Sequence, residues 1–354
     1  MSRVFSHYCA VDLNRLLHNL PRLPLVKPNL WRAAVRGRLR GTVFAMSRSV
    51  PIPPELHGTA FRVSDPHGLS RSRLRGRDVR APYRGIRSVG IEPAYIADRC
   101  RMFLPGMPPE AAFSSVTAAL VYRMPLPKDL QDDPRLHVTV RPGRQPPRVR
   151  GVAGHRFTLR CELWTAAGLP VVAPAETWVH LAPLLSREDL VAIGDFIVSG
   201  RVVSGGREAP LATVDELRAA VDAAPGTRGR AKLLWAMDRI RLGVDSRPET
   251  HLRLLLVAHG LPEPLVNMPV YSATGERLGK PDLQYPGLKL LFEYEGDYHR
   301  TSPAQFRIDI ARRERFEAHG WRVMRVTSDD LSVAQLDFLA RVRLVIALCE
   351  SRAQ

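Results

Sequence analysis

The chain of 354 residues carries 52 Lys and Arg against 35 Asp and Glu, a net charge of +17 at pH 7, with a hydrophobic fraction of 45%. That length and composition predict two or three globular domains with real cores. No apolar run approaches the roughly eighteen residues of a membrane span, and no apolar segment with a small-residue cleavage site marks a signal peptide. Cys9, Cys100, Cys161 and Cys349 are scattered without a C-x-x-C pair or zinc spacing, so a cytoplasmic protein without structural zinc and without a membrane partner is expected.

Charge is unevenly placed. Residues 1–100 hold +12 of the total, whereas from Glu249 onward there are fourteen charges of each sign. Electrostatic binding of nucleic acid is therefore expected at the front. Residues 1–50 form a basic extension with no sustained helical or strand period. Its segment Trp31-Arg-Ala-Ala-Val-Arg-Gly-Arg-Leu-Arg40 reads either as an arm laid on phosphates or as disordered chain, and Met46 stands where a natural start would be.

Residues 51–100 read as a compact winged helix-turn-helix. Gly68-Leu69-Ser70 offers a turn glycine and an N-cap serine, Arg71-Ser-Arg-Leu-Arg-Gly-Arg77 a short basic helix, and Tyr83-Arg84-Gly85-Ile86-Arg87 a wing. Arg71, Arg73, Arg75 and Arg77 around Leu74 would dock on DNA, because the arginine fork meets guanine edges or phosphates bidentately. The competing reading is a small helical cap with solvated arginines, and Pro66 and Gly76 weaken both intended helices.

Residues 101–205 form a middle domain of mixed α/β pattern. The span 111–123 is helical in period, 136–140 and 157–164 read as strands, and 177–185 and 188–198 as helices. No nucleophile elbow, phosphate loop or metal spacing occurs there. His155 and His180 stand alone, and a lone histidine is more often a hydrogen-bonded structural group than a ligand. Together with the front segment, Phe113-Ser-Ser-Val-Thr-Ala-Ala119 and Pro174-Ala-Glu-Thr-Trp178 are similar to the AbiEi-type antitoxin family, which implies an N-terminal winged helix and a role in regulating transcription. Residues 206–245 follow as a helical connector broken at Pro225-Gly226.

Residues 246–354 contain the stretch with the clearest chemistry. Pro286-Gly287 joins two short strands. Along the second, Leu288, Leu290, Phe292 and Tyr294 point one way and Lys289, Leu291, Glu293 and Glu295 the other. A turn with an even number of residues, pairing Tyr285 with Leu288, sets Asp282 opposite Leu291 and diagonal to Glu293, about 7 Å away at Cβ. It also sets Lys280 opposite Glu293. Three acids on one sheet face repel one another unless a cation lies between them, and oxygen donors suit Mg²⁺ or Mn²⁺. Around this hairpin, 246–256 reads as a helix, 267–272 as a strand, 303–319 as a helix, 321–327 as a strand and 329–349 as a closing helix.

Pro281-Asp282 followed by Glu293-Tyr-Glu295 resembles the PD-(D/E)XK nuclease signature, in the branch of short DUF559 and Vsr-like endonuclease domains. Gly296-Asp-Tyr-His299, Asp309-Ile-Ala-Arg-Arg313 and Gly320-Trp-Arg-Val-Met-Arg-Val-Thr327 extend the match over about the last third of the chain. The resemblance implies a restriction-endonuclease-like αβββαβ core and metal-assisted hydrolysis of phosphodiesters. Asp282 and Glu293 would bind the metal, and Glu295 would bind it or hold the water. Glu249 would help hold the metal or its water, and His299 would position water or the leaving group. Glu295 stands where the signature names lysine, although this branch commonly has an acid there; Lys280 and Lys289 share the acid face and neither is assigned.

Several of these positions have a second reading. Ser246-x-x-Glu249 is a capping box, which uses Glu249 only for the backbone. Gln305, Asp309 and Arg312 share a helix face, where Asp309 and Arg312 read most simply as a structural ion pair. Arg325 reaches either the scissile phosphate or a neighbouring acid. The sequence thus points to a Mg²⁺- or Mn²⁺-dependent DNA endonuclease, and the acidic triad favours it over the rival, an antitoxin-like DNA-binding regulator with a catalytically inactive nuclease fold. RNA stays open as a substrate. Many nucleases of this kind are dimers, so the resemblance allows a homodimer, yet no heptad or exposed apolar helix predicts one.

Overall fold

The computed structural model describes residues 50–65, 68–156, 163–296 and 303–353. The basic stretch 1–49, His299 and most of the expected strand at 157–164 lie outside them. The described residues form a mixed α+β architecture of helices and several small sheets. No helix among them is long and apolar enough to cross a membrane.

At the front, β1 (Thr59–Arg62) and β2 (Ile86–Val89) pair antiparallel, with Phe61 opposite Arg87. The ribbon closes a small core of Ile52, Phe61, Leu74, Val79 and Val89. The basic helix expected from Arg71 is a single 3-10 turn, Arg73–Arg75. Its arginines recur at every second position, so on a helix they would point all round and leave Leu74 as the sole apolar anchor. Here Leu74 is inserted into the small core, and a side chain at Gly76 would strike the Arg73 guanidinium. The first α-helix among the described residues is α1 (Ile96–Phe103). A helix-turn-helix requires two, so the winged-helix expectation gives way to a ribbon, a turn and one helix.

The middle region is built on a five-stranded sheet of order β5-β4-β3-β7-β6, with β3 (Ala112–Phe113), β4 (Leu136–Val140), β5 (Val152–Arg156), β6 (Leu163–Ala166) and β7 (Leu169–Val172). Ala112 and Phe113, expected to open a helix, form the central strand. The helix α2 (Ser115–Val121) follows, and α3 (Lys128–Gln131) is a single turn. Cys100 and Phe103 of α1 pack against Phe113, Val138 and Val171 of the sheet.

Beyond the sheet, α4 (Pro174–Leu181) and α5 (Arg187–Ser199) lead through the hairpin β8 (Val202–Val203) and β9 (Gly206–Arg207) to α6 (Val214–Asp222) and α7 (Arg230–Met237). Thr213 and Glu216 start α6 with a full capping box. The four helices share one core around Trp178, Leu190, Ile193, Leu217 and Leu233, and burial of each such side chain stabilises by roughly 1.5–3 kcal/mol. The indole N–H of Trp178 donates to the Leu190 carbonyl at 2.8 Å.

The last region opens with α8 (Arg247–Ala258), which is joined to α5 by buried charges. Asp195 is fully buried; its Oδ2 accepts from Thr250 Oγ1 at 2.7 Å and from Arg253 Nη2 at 3.2 Å, and its Oδ1 from the Arg241 N–H at 2.6 Å. Arg253 is 1% exposed and also donates to Glu263 at 2.6 Å. Burial pushes Asp195 up to about 6 against the opposing pull of Arg253.

A four-stranded sheet of order β10-β13-β14-β15 follows, from β10 (Leu265–Val266), β13 (Leu283–Tyr285), β14 (Leu290–Tyr294) and β15 (Arg322–Val326). The strands β14 and β15 are parallel and are connected through α9 (Pro303–Ala318). The single strand expected over 267–272 is split. Asn267 adopts a left-handed conformation (φ 52°), and the chain leaves the main sheet to form a separate hairpin of β11 (Val270–Tyr271) and β12 (Arg277–Gly279).

One face of the main sheet, with Leu283, Leu290, Phe292, Met324 and Val326, packs on Leu252 and Leu256 of α8 and on Phe338 and Val342 of α10 (Gln335–Ala353). On the other face Leu291 meets Val270, Leu278 and Phe316. The opposite side of α10 leaves Leu336, Leu344 and Leu348 exposed at 80%, 63% and 51%, which corrects the expectation that no helix presents an apolar face.

Candidate active site

The β13–β14 hairpin sets the site. Its strands pair Leu283 with Phe292, Gln284 with Leu291 and Tyr285 with Leu290. The turn holds four residues: a 3-10 turn at Pro286–Leu288, then Lys289 in the left-handed region (φ 45°). The number is even, so the faces fall as the alternation requires. The pairing, however, is shifted by two residues from the expected one, and continuation of the register puts Asp282 directly opposite Glu293. The backbone N–H of Tyr294 donates to Asp282 Oδ2 at 2.6 Å, which locks the carboxylate across the strand pair.

Glu249 comes to the same place from the first turn of α8. Ser246 caps that helix, its Oγ accepting from the Glu249 N–H at 3.4 Å. In a capping box the glutamate would turn back to the N–H of Ser246 itself. Instead its Oε2 accepts from the Asp245 N–H at 3.0 Å and from Asn267 Nδ2 at 2.5 Å. The left-handed kink at Asn267 thus serves a second purpose, since it brings an amide donor to a carboxylate that is only 5% exposed.

These acids sense one another. Burial, then the charges of Glu249 and Glu293, pushes Asp282 up to about 7, while the Tyr294 N–H opposes. Glu249 is raised by burial and by the charge of Asp245. Glu293 is raised by burial and by Asp309, against Arg312, Arg313 and Arg325. Arg312 Nη2 lies 3.1 Å from Glu293 Oε1 and 3.7 Å from Asp309 Oδ1. Asp309 and Arg312 are therefore more than a local pair, because Arg312 ties α9 to β14. Even so, Glu293 Oε1 is buried without a well-directed hydrogen bond among the described residues.

Glu295 shares the face of Glu293 but is engaged elsewhere. It is ion-paired to Arg325 and lies 3.9 Å from Arg313, so Arg325 takes the second of its two sequence readings, contact with a neighbouring acid. Lys280 is not opposite Glu293; its Nζ donates to Asp245 Oδ2 at 2.5 Å. Lys289 sits in the turn, with Nζ directed to the His319 carbonyl at 3.4 Å. His299 lies outside the described residues, as does the side chain of Gln305.

The donor set fits a hard cation. Among the described residues no three His, Cys, Asp or Glu side chains stand as a ready metal cage. Mg²⁺, though, keeps several waters and commonly takes only one or two carboxylates. Acids raised by desolvation, with one buried carboxylate oxygen lacking a hydrogen bond among the described residues, have what such an ion would relieve.

Elsewhere, Arg73 is buried and makes a two-pronged contact with Asp78 at 2.8 and 2.5 Å, which commits it to holding the turn. Arg71, Arg75 and Arg77 are exposed. His155 is not alone: its Nε2 lies 2.9 Å from His137 Nδ1, and His137 Nε2 lies 3.1 Å from Asp133 Oδ2. Burial, with the neighbouring His137, pushes His155 down to about 4, and His180 is pushed down to about 3 by burial. The signal for the histidine pair was its placement at 137 and 155 on adjacent parallel strands, which single-strand alternation does not reveal.

Two proteins of Mycobacterium tuberculosis, one from each of two strains and both described only as uncharacterized, are similar to this chain. Each is 26% identical over 215 residues, covering 61% of this chain and 73% of the relative. No family model and no solved structure matches the chain.

Proposed function

We propose that the chain is a metal-dependent endonuclease that hydrolyses DNA phosphodiester bonds at the Asp282–Glu293 hairpin. One observation carries the reading. Glu249, Asp282 and Glu293 come from a helix, a strand entrance and a strand; the first is buried and the others half-buried, Asp282 is locked by the Tyr294 N–H, Glu293 Oε1 is left without a hydrogen bond among the described residues, and burial raises each carboxyl above its usual range. Such an arrangement is costly to a fold and valuable to a cation site.

In this reading Asp282 and Glu293 hold Mg²⁺ or Mn²⁺, which supplies an acidified water and charge stabilisation at the phosphate. Glu249, fixed by Asn267 and the Asp245 N–H, borders the site from α8 and orients water. Arg312 steadies Glu293. Glu295, tied to Arg325, positions that arginine near the strand end.

A second reading rests on the same arginines. Arg312 beside Glu293 and Arg325 beside Glu295 leave part of the acid face compensated within the protein, and Lys280 is committed to Asp245. This supports a DNA-binding regulator in which the C-terminal fold is structural. Cleavage of supercoiled plasmid and of DNA and RNA oligonucleotides with Mg²⁺ or Mn²⁺ separates the two. Metal-dependent cutting that vanishes in Asp282→Asn and Glu293→Gln, each with wild-type unfolding behaviour, is the expected result; failure to cut any of these substrates moves the conclusion to the regulator.

A further inference from the structure

We infer that a cleft at the front of the chain seats the phosphate backbone of nucleic acid, and that this cleft, rather than a groove-reading helix, supplies the contact with DNA. The inference rests on the reading that the chain acts on nucleic acid. The cleft has a volume of about 1210 Å³ and is lined by Arg80, Arg84, Arg87, Arg99 and Arg150 around Tyr83. The five arginines come from distant parts of the sequence: the turn before β2, β2 itself, α1, and the approach to β5. The fold collects them.

Of the five, Arg80 alone has a carboxylate partner among the described residues, Glu92 at 2.6 Å, and that pair is exposed. Arg87 donates to the carbonyls of Leu74 and Ile86, both at 2.9 Å. Arg99 donates to the carbonyls of Asp133, at 3.4 Å, and of Pro134. Carbonyl contacts fix the direction of a guanidinium without neutralising it. Arg84 and Arg150 are exposed at the cleft. Four cations facing one concavity repel each other, and each further anionic group brought between them lowers that repulsion.

The cleft exceeds the roughly 300–1,000 Å³ of small-ligand sites. A chain of phosphates fits its extent and charge, and the arginine fork matches phosphate oxygens two at a time. Tyr83 is packed edge-on against Phe103, with ring centroids 5.0 Å apart, and gives the cleft a rigid wall. Backbone contacts of this kind position a nucleic acid and carry no direct sequence information. Binding is therefore expected to be strongly salt-dependent and indifferent to sequence.

The test is anisotropy of a labelled DNA duplex bound to the full chain in EDTA across a KCl series. Arg84→Ala/Arg150→Ala should weaken binding about tenfold at roughly 0.1 M salt and reduce the slope of log affinity against log salt by about 1.8, two contacts at about 0.9 each. Arg84→Lys/Arg150→Lys, which keeps the charge, should retain most of the slope. An unchanged slope in the alanine variant overturns the proposal. So does an equal loss in Arg71→Ala/Arg77→Ala, which would mean diffuse basic attraction, and so does a wild-type chain that does not bind. Because no metal is present, the result is independent of cleavage. A chain that binds here and never cuts defeats the nuclease reading alone, and a chain that cuts with binding unchanged in the alanine variant defeats the cleft alone.

Discussion

The hairpin acids and the front arginines gather like charges in opposite settings. Glu249 is buried and Asp282 and Glu293 are half-buried, so each ionised carboxylate is costly: desolvation raises all three, and the charges of Glu249 and Glu293 add to it at Asp282. Arg80, Arg84 and Arg150 are exposed, so water carries most of the cost and the charges stay in place with little penalty. On the proposed function the first setting would favour a compact, doubly charged ion, and on the inference drawn from the cleft the second would favour an extended polyanion. Burial, more than the sign of the charge, separates the two roles.

The largest expected effect is on chemistry. Asp282→Asn keeps an acceptor for the Tyr294 N–H but removes the charge; cleavage should fall on the order of 10³-fold, the scale of a lost transition-state electrostatic contact, while thermal unfolding at pH 8 is unchanged or shifted upward. A marked loss of stability instead would mean that Asp282 serves the fold.

Arg253 is fully buried, more so than Asp282, and has partners of opposite sign. Arg253→Ala should destabilise by about 3–5 kcal/mol, because Asp195 is left buried with its ionic partner removed. Urea unfolding measures it, and a change below about 1 kcal/mol would show that Asp195 is protonated in the folded protein.

The acid cluster also predicts a pH signature. Asp282 is raised to about 7 from an ordinary value of 3.8. Between about pH 4 and pH 7 the folded state therefore retains a proton that the unfolded chain has released, and stability without metal falls as pH rises through that window. Under the proposed function Mg²⁺ would bind the ionised form. At about one hundred times its dissociation constant it should add about 2.7 kcal/mol at pH 8 and little at pH 5, as read by differential scanning calorimetry. Equal shifts at both pH values would place the ion elsewhere.

The smallest effect is expected at Glu295, which is half-exposed and salt-bridged. Glu295→Gln should change stability by less than about 1 kcal/mol and cleavage by about tenfold or less, measured beside Asp282→Asn; an equal loss in the two variants would restore Glu295 to the metal.

Much of the hairpin was legible before the fold was known. Alternation along the second strand gave the faces, and Pro286-Gly287 gave the place of the turn, whose even number of residues was a condition that the structure meets. The turn's length was not legible, because Lys289 adopts a left-handed conformation that its residue type does not announce. Asn267 is a residue type that visits the left-handed region readily, and it marks the point where the chain leaves β10 for β11. The ion pairs of Glu293, Glu295 and Lys280 depend on α9, β15 and the Asp245 loop arriving at the sheet, which no local pattern encodes. At the front, period-two arginines were read as a helix although they provide it no apolar stripe. The cleft arginines were visible one by one, but Arg99 and Arg150 could be joined to Arg84 only through the packing of α1 and the approach of β5.

The buried joint between α5 and α8 bears on how this molecule can be taken apart. A fragment beginning at Ser246 would carry Arg253 and Thr250 away from Asp195, and Arg253 from the Arg239 carbonyl that it also contacts, and both pieces would expose apolar and charged surface that the joint now covers. Neither piece would be expected to fold well alone. The C-terminal sheet is consequently not a portable cassette that could be moved to another protein with its acids intact; it is grown into the helices before it.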